Sequence, residues 1–404
     1  MGKLAKIFNT RLSVYLLLFA FVLAAYQLTW INFTKGGWDY NAAVLGMNYF
    51  DFGFVRRGLS GSIAYLFGSD LLRATIWFYL VALGIVVVLA LQLLNKRIAA
   101  PLTLIPYVIL FGGILLFWAC DPGRTDVLIA AFLMLAASAM TNRKPAVACV
   151  WLAIGLMTHE TAIIYGLPLV VALALRDCQY RSMPLAKYVT ASLILLIAVA
   201  VYIFTDRFPH ASVNTIVSTV RNELPRNELV DRALYLNLSG IRVVRTAMCR
   251  NALDPRYALH LIEACILIAL AIFAISRWPW SIGFWLAILV SIPPFIFLWI
   301  VALDHARWVT LSMLNIWLLG VTDREPRKIE QPLIFLAEIA CAALVLVLHY
   351  PRIVGQRTVV TPSPMMERVA NKFGITSAPS FPETLLSCDP NWREALEKMT
   401  SRRD

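Results

Sequence analysis

The sequence predicts an all-α fold, a polytopic transmembrane helix bundle of about eleven helices with short interfacial helices on its outer face. Three observations predict it. Of the 404 residues 60% are hydrophobic and 15% charged, whereas a soluble domain carries about 25% charged residues. Several runs approach the roughly 20 apolar residues that cross a bilayer core, the clearest being Leu12 to Phe33, Leu71 to Leu94, Ala258 to Ser276 and Trp280 to Leu303. Basic residues recur in alternate short connections, as they do on the cytoplasmic side of membrane proteins. Soluble α/β architectures are excluded.

The first run follows Lys3, Lys6 and Arg11 and is longer than the roughly 7 to 15 residues of a signal-peptide core, so it reads as an uncleaved anchor. Further spans are expected at 71–94, 98–119, 127–141, 145–158, 161–175, 188–204, 258–276, 279–303, 309–321 and 332–348. Those between 127 and 175, and the one at 309–321, are short. They point to helices that stop part-way or tilt around a water-filled space. When the spans alternate, Lys96/Arg97, Arg143/Lys144, Arg176/Arg181/Lys187, Arg277 and Arg324/Arg327/Lys328 join the N-terminal basic residues on one side. The positive-inside rule makes that side cytoplasmic. Residues 1–348 then form the transmembrane domain, with long outer loops at 34–70 and 205–257, and 349–404 form a short extracytoplasmic tail. Within the tail, Met365 to Lys372 before Gly374, and Pro390 to Met399 behind an Asp389 N-cap, read as short helices. The tail is too short for a core of its own.

The net charge of +12 is spread over many loops rather than gathered in one domain, so no nucleic-acid partner is indicated. Membrane topology and an anionic substrate account for it better. Seven cysteines lack CxxC spacing, which argues against a zinc or redox centre. Cys249 and Cys388 both fall in outer segments, and an oxidising outer side would permit them to pair.

Four outer connections carry the unusual polar residues. The first holds Trp38-Asp39-Tyr40-Asn41 and then Asp51-Phe52-Gly53-Phe54-Val55-Arg56-Arg57-Gly58-Leu59. It reads either as interfacial helices anchored by aromatic residues or as part of a site, because charge at the membrane marks function. The second is Asp121-Pro122-Gly123-Arg124-Thr125-Asp126, where ordinary turn chemistry and a helix cap compete with Arg124 as a phosphate or carboxylate binder. The third, Thr158-His159-Glu160-Thr161, has no HExxH signature. His159 is either a packed histidine or an orienting group, and Glu160 suits a helix start. The fourth, Asp304-His305-Ala306-Arg307-Trp308, follows a Pro293-Pro294 kink, and Asp304 and Arg307 are spaced to pair with each other. All four would lie near one depth on one side.

The segment Thr205 to Tyr257 adds eight arginines against five acids. If 241–250 is helical, Arg242 and Arg245 share a face. Glu263 and Glu338 sit inside apolar spans and should face the interior.

This organisation resembles the GT-C class of glycosyltransferases, polytopic enzymes that take sugars from polyprenyl-phosphate carriers at the outer membrane face. The matching residues are Asp39 or Asp51, where that class keeps a catalytic acid in its first outer loop, and His159-Glu160, loosely like a later His/Glu patch. The first loop lacks the adjacent acid pair or DxD of many members. The Phe54-Val55-Arg56-Arg57-Gly58-Leu59 stretch is similar to bacterial membrane proteins of surface-polysaccharide systems, polymerases among them. The resemblance implies a lipid-linked sugar transferase or polymerase of cell-envelope polysaccharide biosynthesis in a bacterial inner membrane, with membrane lipid and a lipid-linked sugar as its partners.

That chemistry assigns roles. Asp39 is the first choice as general base and Asp51 the second, since a base needs hydrogen-bond reach of the acceptor hydroxyl. Arg56, Arg57, Arg124 and Arg307 would hold the leaving phosphate. Asp121, Asp126, His159, Glu160, Asp304 and His305 would position hydroxyls or a divalent cation, which prefers oxygen ligands. Trp38, Tyr40 and Trp308 would stack on sugar faces. A lipid or polysaccharide transporter would use the same arginines for loading together with Glu263 or Glu338. A metal-dependent hydrolase built on His159 and His305 is a third reading.

Overall fold

The computed structural model describes residues 11–35, 39–55, 57–68, 70–96, 101–180, 185–204, 211–224, 230–231, 233–235, 241–253, 257–275, 282–301, 305–323 and 332–349, with short pieces between 371 and 394. Among these residues the fold is all-α. Its helices are α1 (Arg11–Lys35), three short ones, α2 (Asp39–Leu45), α3 (Tyr49–Phe52) and α4 (Gly58–Tyr65), then α5 (Leu71–Lys96). A 3-10 turn at Pro101–Leu104 leads into α6 (Ile105–Cys120), so the span expected from residue 98 begins later. There follow α7 (Asp126–Thr141), α8 (Pro145–Thr158), α9 (Thr161–Tyr180), α10 (Leu185–Ile203), α11 (Val213–Glu223) and α12 (Ile241–Leu253). The last four are α13 (Tyr257–Ile275), α14 (Ile282–Val301), α15 (His305–Val321) and α16 (Pro332–His349).

Four of these, α1, α5, α13 and α14, are long and apolar enough to cross a membrane, and seven shorter apolar helices accompany them. Their exposed faces are apolar in helical register. Leu12, Leu16, Phe19 and Leu23 line α1, while Trp77, Val81, Ile85 and Val88 line α5. Faces of this size are unusual on a soluble monomer and suit lipid. The shorter helices α6 and α7 are buried nearly all round, as a helix that is hydrophobic on every side must be. They form the centre, with α15 packed against both.

The proline pair expected to kink a span lies inside α14, at Pro293 and Pro294. Pro294 has no N–H for the Val290 carbonyl one turn back. Asn315 of α15 supplies the missing donor: its Nδ2 donates to Val290 O at 3.0 Å and to Tyr165 O of α9 at 2.8 Å. Ser312, one turn earlier, donates to Ser291 O at 3.2 Å. In an apolar interior a stranded carbonyl is costly, so Asn315→Leu is expected to destabilise the fold by about 1–2 kcal/mol. In a Pro294→Ala background the restored N–H reaches Val290, and the same substitution should cost less. Thermal unfolding of the four proteins in detergent checks this. An equal cost in both backgrounds would show that the freed carbonyl is not the reason.

The segment that holds α12 meets the tail. Cys249 of α12 and Cys388 form a disulfide, with Cα atoms 5.8 Å apart, and the buried Tyr235 hydroxyl donates to Asp389. Asp389 thus binds a tyrosine, and most of the helix expected behind it lies outside the described residues. Asn251 in turn donates to Trp299 O at 3.0 Å, which seats α12 on the C-terminal end of α14.

Candidate functional site

The first connection is shaped by close backbone packing. Asn48 caps α3 reciprocally with Asp51: its Oδ1 accepts from Asp51 N at 2.9 Å and its Nδ2 donates to Asp51 Oδ2 at 2.8 Å. Asp51 is therefore an exposed partner of the cap, and Glu223 of α11 is a charged neighbour of it. Helix α4 lies directly on the preceding backbone. A Cβ at Gly61 would stand 2.0 Å from Met47 O, and one at Gly58 would stand 2.4 Å from the Tyr49 ring. Arg57 enters α4 in the left-handed region, at φ 61°, a conformation that costs energy in a residue with a side chain and persists where the surroundings enforce it.

Pairs of charges then join connections far apart in sequence. Arg57 donates through Nε and Nη2 to Glu160 Oε2 and Oε1, at 2.9 and 3.1 Å. Arg307 at the start of α15 grips Asp126 at the start of α7, with Nε donating to Oδ2 at 2.6 Å and Nη2 to Oδ1. Arg124 donates to Asp121 Oδ2 at 2.6 Å and lies 5.7 Å from the Tyr40 ring centroid. Asn41 of α2 donates to Pro122 O at 2.8 Å and to Asp121 Oδ1 at 3.2 Å, close above Gly123, whose φ of +88° only glycine takes readily. Tyr165 of α9 donates to Trp308 O at 2.7 Å. First to second, first to third, second to fourth and third to fourth, the connections are linked at one end of the bundle.

His159 and Glu160 lie between α8 and α9. The Thr161 N–H donates to His159 Nδ1 at 3.3 Å, and the Thr161 hydroxyl stands 3.2 Å from the same nitrogen. Glu160 Oε2 is also 3.1 Å from Nδ1. Burial first, and then the Arg57 charge, push His159 down to about 3, so the ring is neutral at physiological pH. Burial alone would raise the Glu160 carboxyl, but the Arg57 guanidinium holds it well below the usual carboxylate range. Burial likewise opposes the Arg57 charge, and Glu160 more than restores it, leaving the guanidinium above its ordinary value.

The structure thus brings together Arg57, Asp121, Arg124, Asp126, His159, Glu160 and Arg307. Asp39 opens α2 half-buried, two residues before Asn41. Arg56, Asp304 and Trp38 lie outside the described residues, as do the His305 and Arg242 side chains, while Arg245 is exposed on α12. Among the described residues no group of three or more His, Cys, Asp or Glu is placed to hold a metal ion. Sequence reasoning passed over Asn41, Tyr165 and Asn315, which tie the ends together. An amide or tyrosine at a helix end, or inside a span, is the signal that could have found them. Glu263 and Glu338 occupy the first halves of α13 and α16.

No family model, curated protein or solved structure matches the chain.

Proposed function

We infer that the chain is an integral membrane glycosyltransferase that uses a polyprenyl-phosphate-linked sugar at the outer membrane face, in surface-polysaccharide assembly. The observation that carries this reading is the linkage of three arginine–carboxylate pairs and a neutral histidine across four connections at one end of the bundle. The reading takes the four long helices and seven shorter ones as eleven crossings, with the N-terminus cytoplasmic and the tail outside. Basic residues at the other end support it: Lys96 reaches Ser138 Oγ at 3.4 Å, and Arg176 donates to Leu319 O and Thr322 O at 3.0 and 3.1 Å. Both are positions that the positive-inside rule assigns to the cytoplasm. Helix α7, with 16 residues, is about 24 Å long, shorter than the roughly 30 Å hydrocarbon core. In this reading one end of α7 stops short of the membrane face, and Asp126 is its first residue.

In this reading Asp39 takes the proton of the acceptor hydroxyl, whose oxygen attacks the anomeric carbon as the bond to the carrier phosphate breaks. The phosphate leaves with the electron pair and is met by guanidinium groups. Arg57 is the most open of them and Arg124 less so, and Arg307, shielded with Asp126, holds α7 and α15 in place. Tyr40, beneath Arg124, offers a ring to a sugar face.

The test supplies membranes containing the protein with labelled polyprenyl-phosphate sugars carrying a hexose, an N-acetylhexosamine or a pentose. Transfer by the unaltered protein is expected with at least one donor, and Arg124→Ala should reduce it about tenfold, the worth of one charged hydrogen bond. Absence of transfer from every donor would overturn the reading, and unchanged transfer by Arg124→Ala would remove that residue from the site.

A further inference from the structure

We propose that Glu160 occupies, in the resting protein, the place of an anionic ligand on Arg57, and that a phosphate ester displaces it there and passes its carboxylate to His159. The naming of a phosphate ester rests on the transferase reading; the exchange itself rests on geometry. Glu160 uses both oxygens on the Nε and Nη2 edge of Arg57, and phosphate presents the same pair of acceptors to that planar fork.

Exposure separates this pair from the other two. The Arg57 and Glu160 side chains are 26% and 34% exposed, against 15% and 19% for Arg124 and Asp121 and 10% and 2% for Arg307 and Asp126. Of the three pairs this one meets water most, and an ion pair exchanges more readily the less it is shielded. The backbone that carries the guanidinium is held independently of its partner. Arg57 is fixed in its left-handed conformation at the head of α4, which has no room to shift past Gly61.

Glu160 has a second partner waiting. Its Oε2 is already 3.1 Å from His159 Nδ1, so once released it attracts a proton to that nitrogen. In the resting state Nδ1 accepts from Thr161 N–H and Nε2 carries the proton. After exchange Nδ1 carries it and donates to Glu160, and the Thr161 N–H, a first-turn donor with no intrahelical partner, passes to water. The proton moves between ring nitrogens through solvent, with no net uptake. Asp126 and Arg307 also bear on His159, but they stay paired to each other throughout, so their influence is unchanged. Glu160 and His159 are positioning residues here, and Arg57 touches the ligand.

The experiment uses the purified full-length protein in detergent with two probes, farnesyl phosphate and inorganic phosphate. Glu160→Gln removes the competing charge and is expected to tighten binding of both about tenfold, a gain that misfolding cannot produce. Glu160→Ala serves as the second variant if the Gln protein does not fold. Arg57→Ala is expected to lose binding, and nitrogen-15 NMR of His159 should pass from the Nε2–H to the Nδ1–H form as probe is added. Farnesyl phosphate binding more tightly than inorganic phosphate would assign the site to lipid headgroups, and equal binding would assign it to soluble phosphate; both support the exchange. Affinity unchanged or weakened by removing the Glu160 charge, binding retained in Arg57→Ala, or a fixed His159 tautomer would overturn it. Binding as expected without any sugar transfer would leave the exchange standing and remove the transferase. Transfer with phosphate binding indifferent to Glu160 would do the reverse.

Discussion

Replacing Asp126 with Ala is expected to cost about 3–5 kcal/mol of stability, the penalty for removing one partner of a shielded ion pair. Arg307 is 10% exposed and Asp126 2%, and the substitution leaves the guanidinium charge in that setting without its bidentate carboxylate. The pair also joins the starts of α7 and α15, two helices at the centre of the bundle, so its loss should loosen the whole outer end. Thermal unfolding in detergent, together with the yield of folded protein from membranes, measures the effect. Replacing both partners, Asp126→Leu with Arg307→Met, should recover most of the loss, because an apolar pair of similar volume is often as stable as a buried ion pair. If the single substitution left stability unchanged, Arg307 would not depend on this carboxylate.

Asp39→Asn is expected to slow sugar transfer about 10²- to 10⁴-fold, the usual worth of a general base, while leaving the fold intact. Asp39 is half-buried at the first position of α2, and Asn is about as good at a helix start. Donor binding, which the transferase reading gives to the arginines, should change little. Initial rates at saturating donor, with KM measured separately, distinguish the two. A loss smaller than about threefold would show that another group takes the proton, since general bases contribute far more.

The helices were legible because their cause is local. Long apolar runs and alternating basic connections can be counted, and the spans at 71–94 and 258–276 correspond within two residues to α5 and α13. Larger displacements fall at ends that composition does not mark: the α-helix expected from 98 starts at Ile105, because Pro101–Leu104 makes a 3-10 turn in a run that stays apolar, α9 runs on to Tyr180 past the expected 175, and α15 starts at His305, ahead of the expected 309. Cys249 and Cys388 both fell in segments assigned to one side, which permitted a bridge without fixing it, and the geometry supplies it. The charge pairing was another matter. Arg307 and Asp126 are 181 positions apart and Arg57 and Glu160 are 103 apart, distances at which residue spacing carries no information. The Asp121–Arg124 pair, three residues apart, is the kind that spacing does reveal. The Asn48 contact with Asp51 was likewise invisible, although the acid itself was conspicuous.

The bridge between Cys249 and Cys388 has a bearing on how the protein is made. On the proposed topology the two sulfurs are separated during synthesis by α13 to α16, and Cys388 reaches the oxidising compartment only after α16 has been threaded. A chain with one helix stalled or inverted would leave these thiols in different compartments, unable to react. Closure of the ring is thus a late covalent mark of correct insertion, set after the segments that carry Asp126 and Arg307 have already crossed.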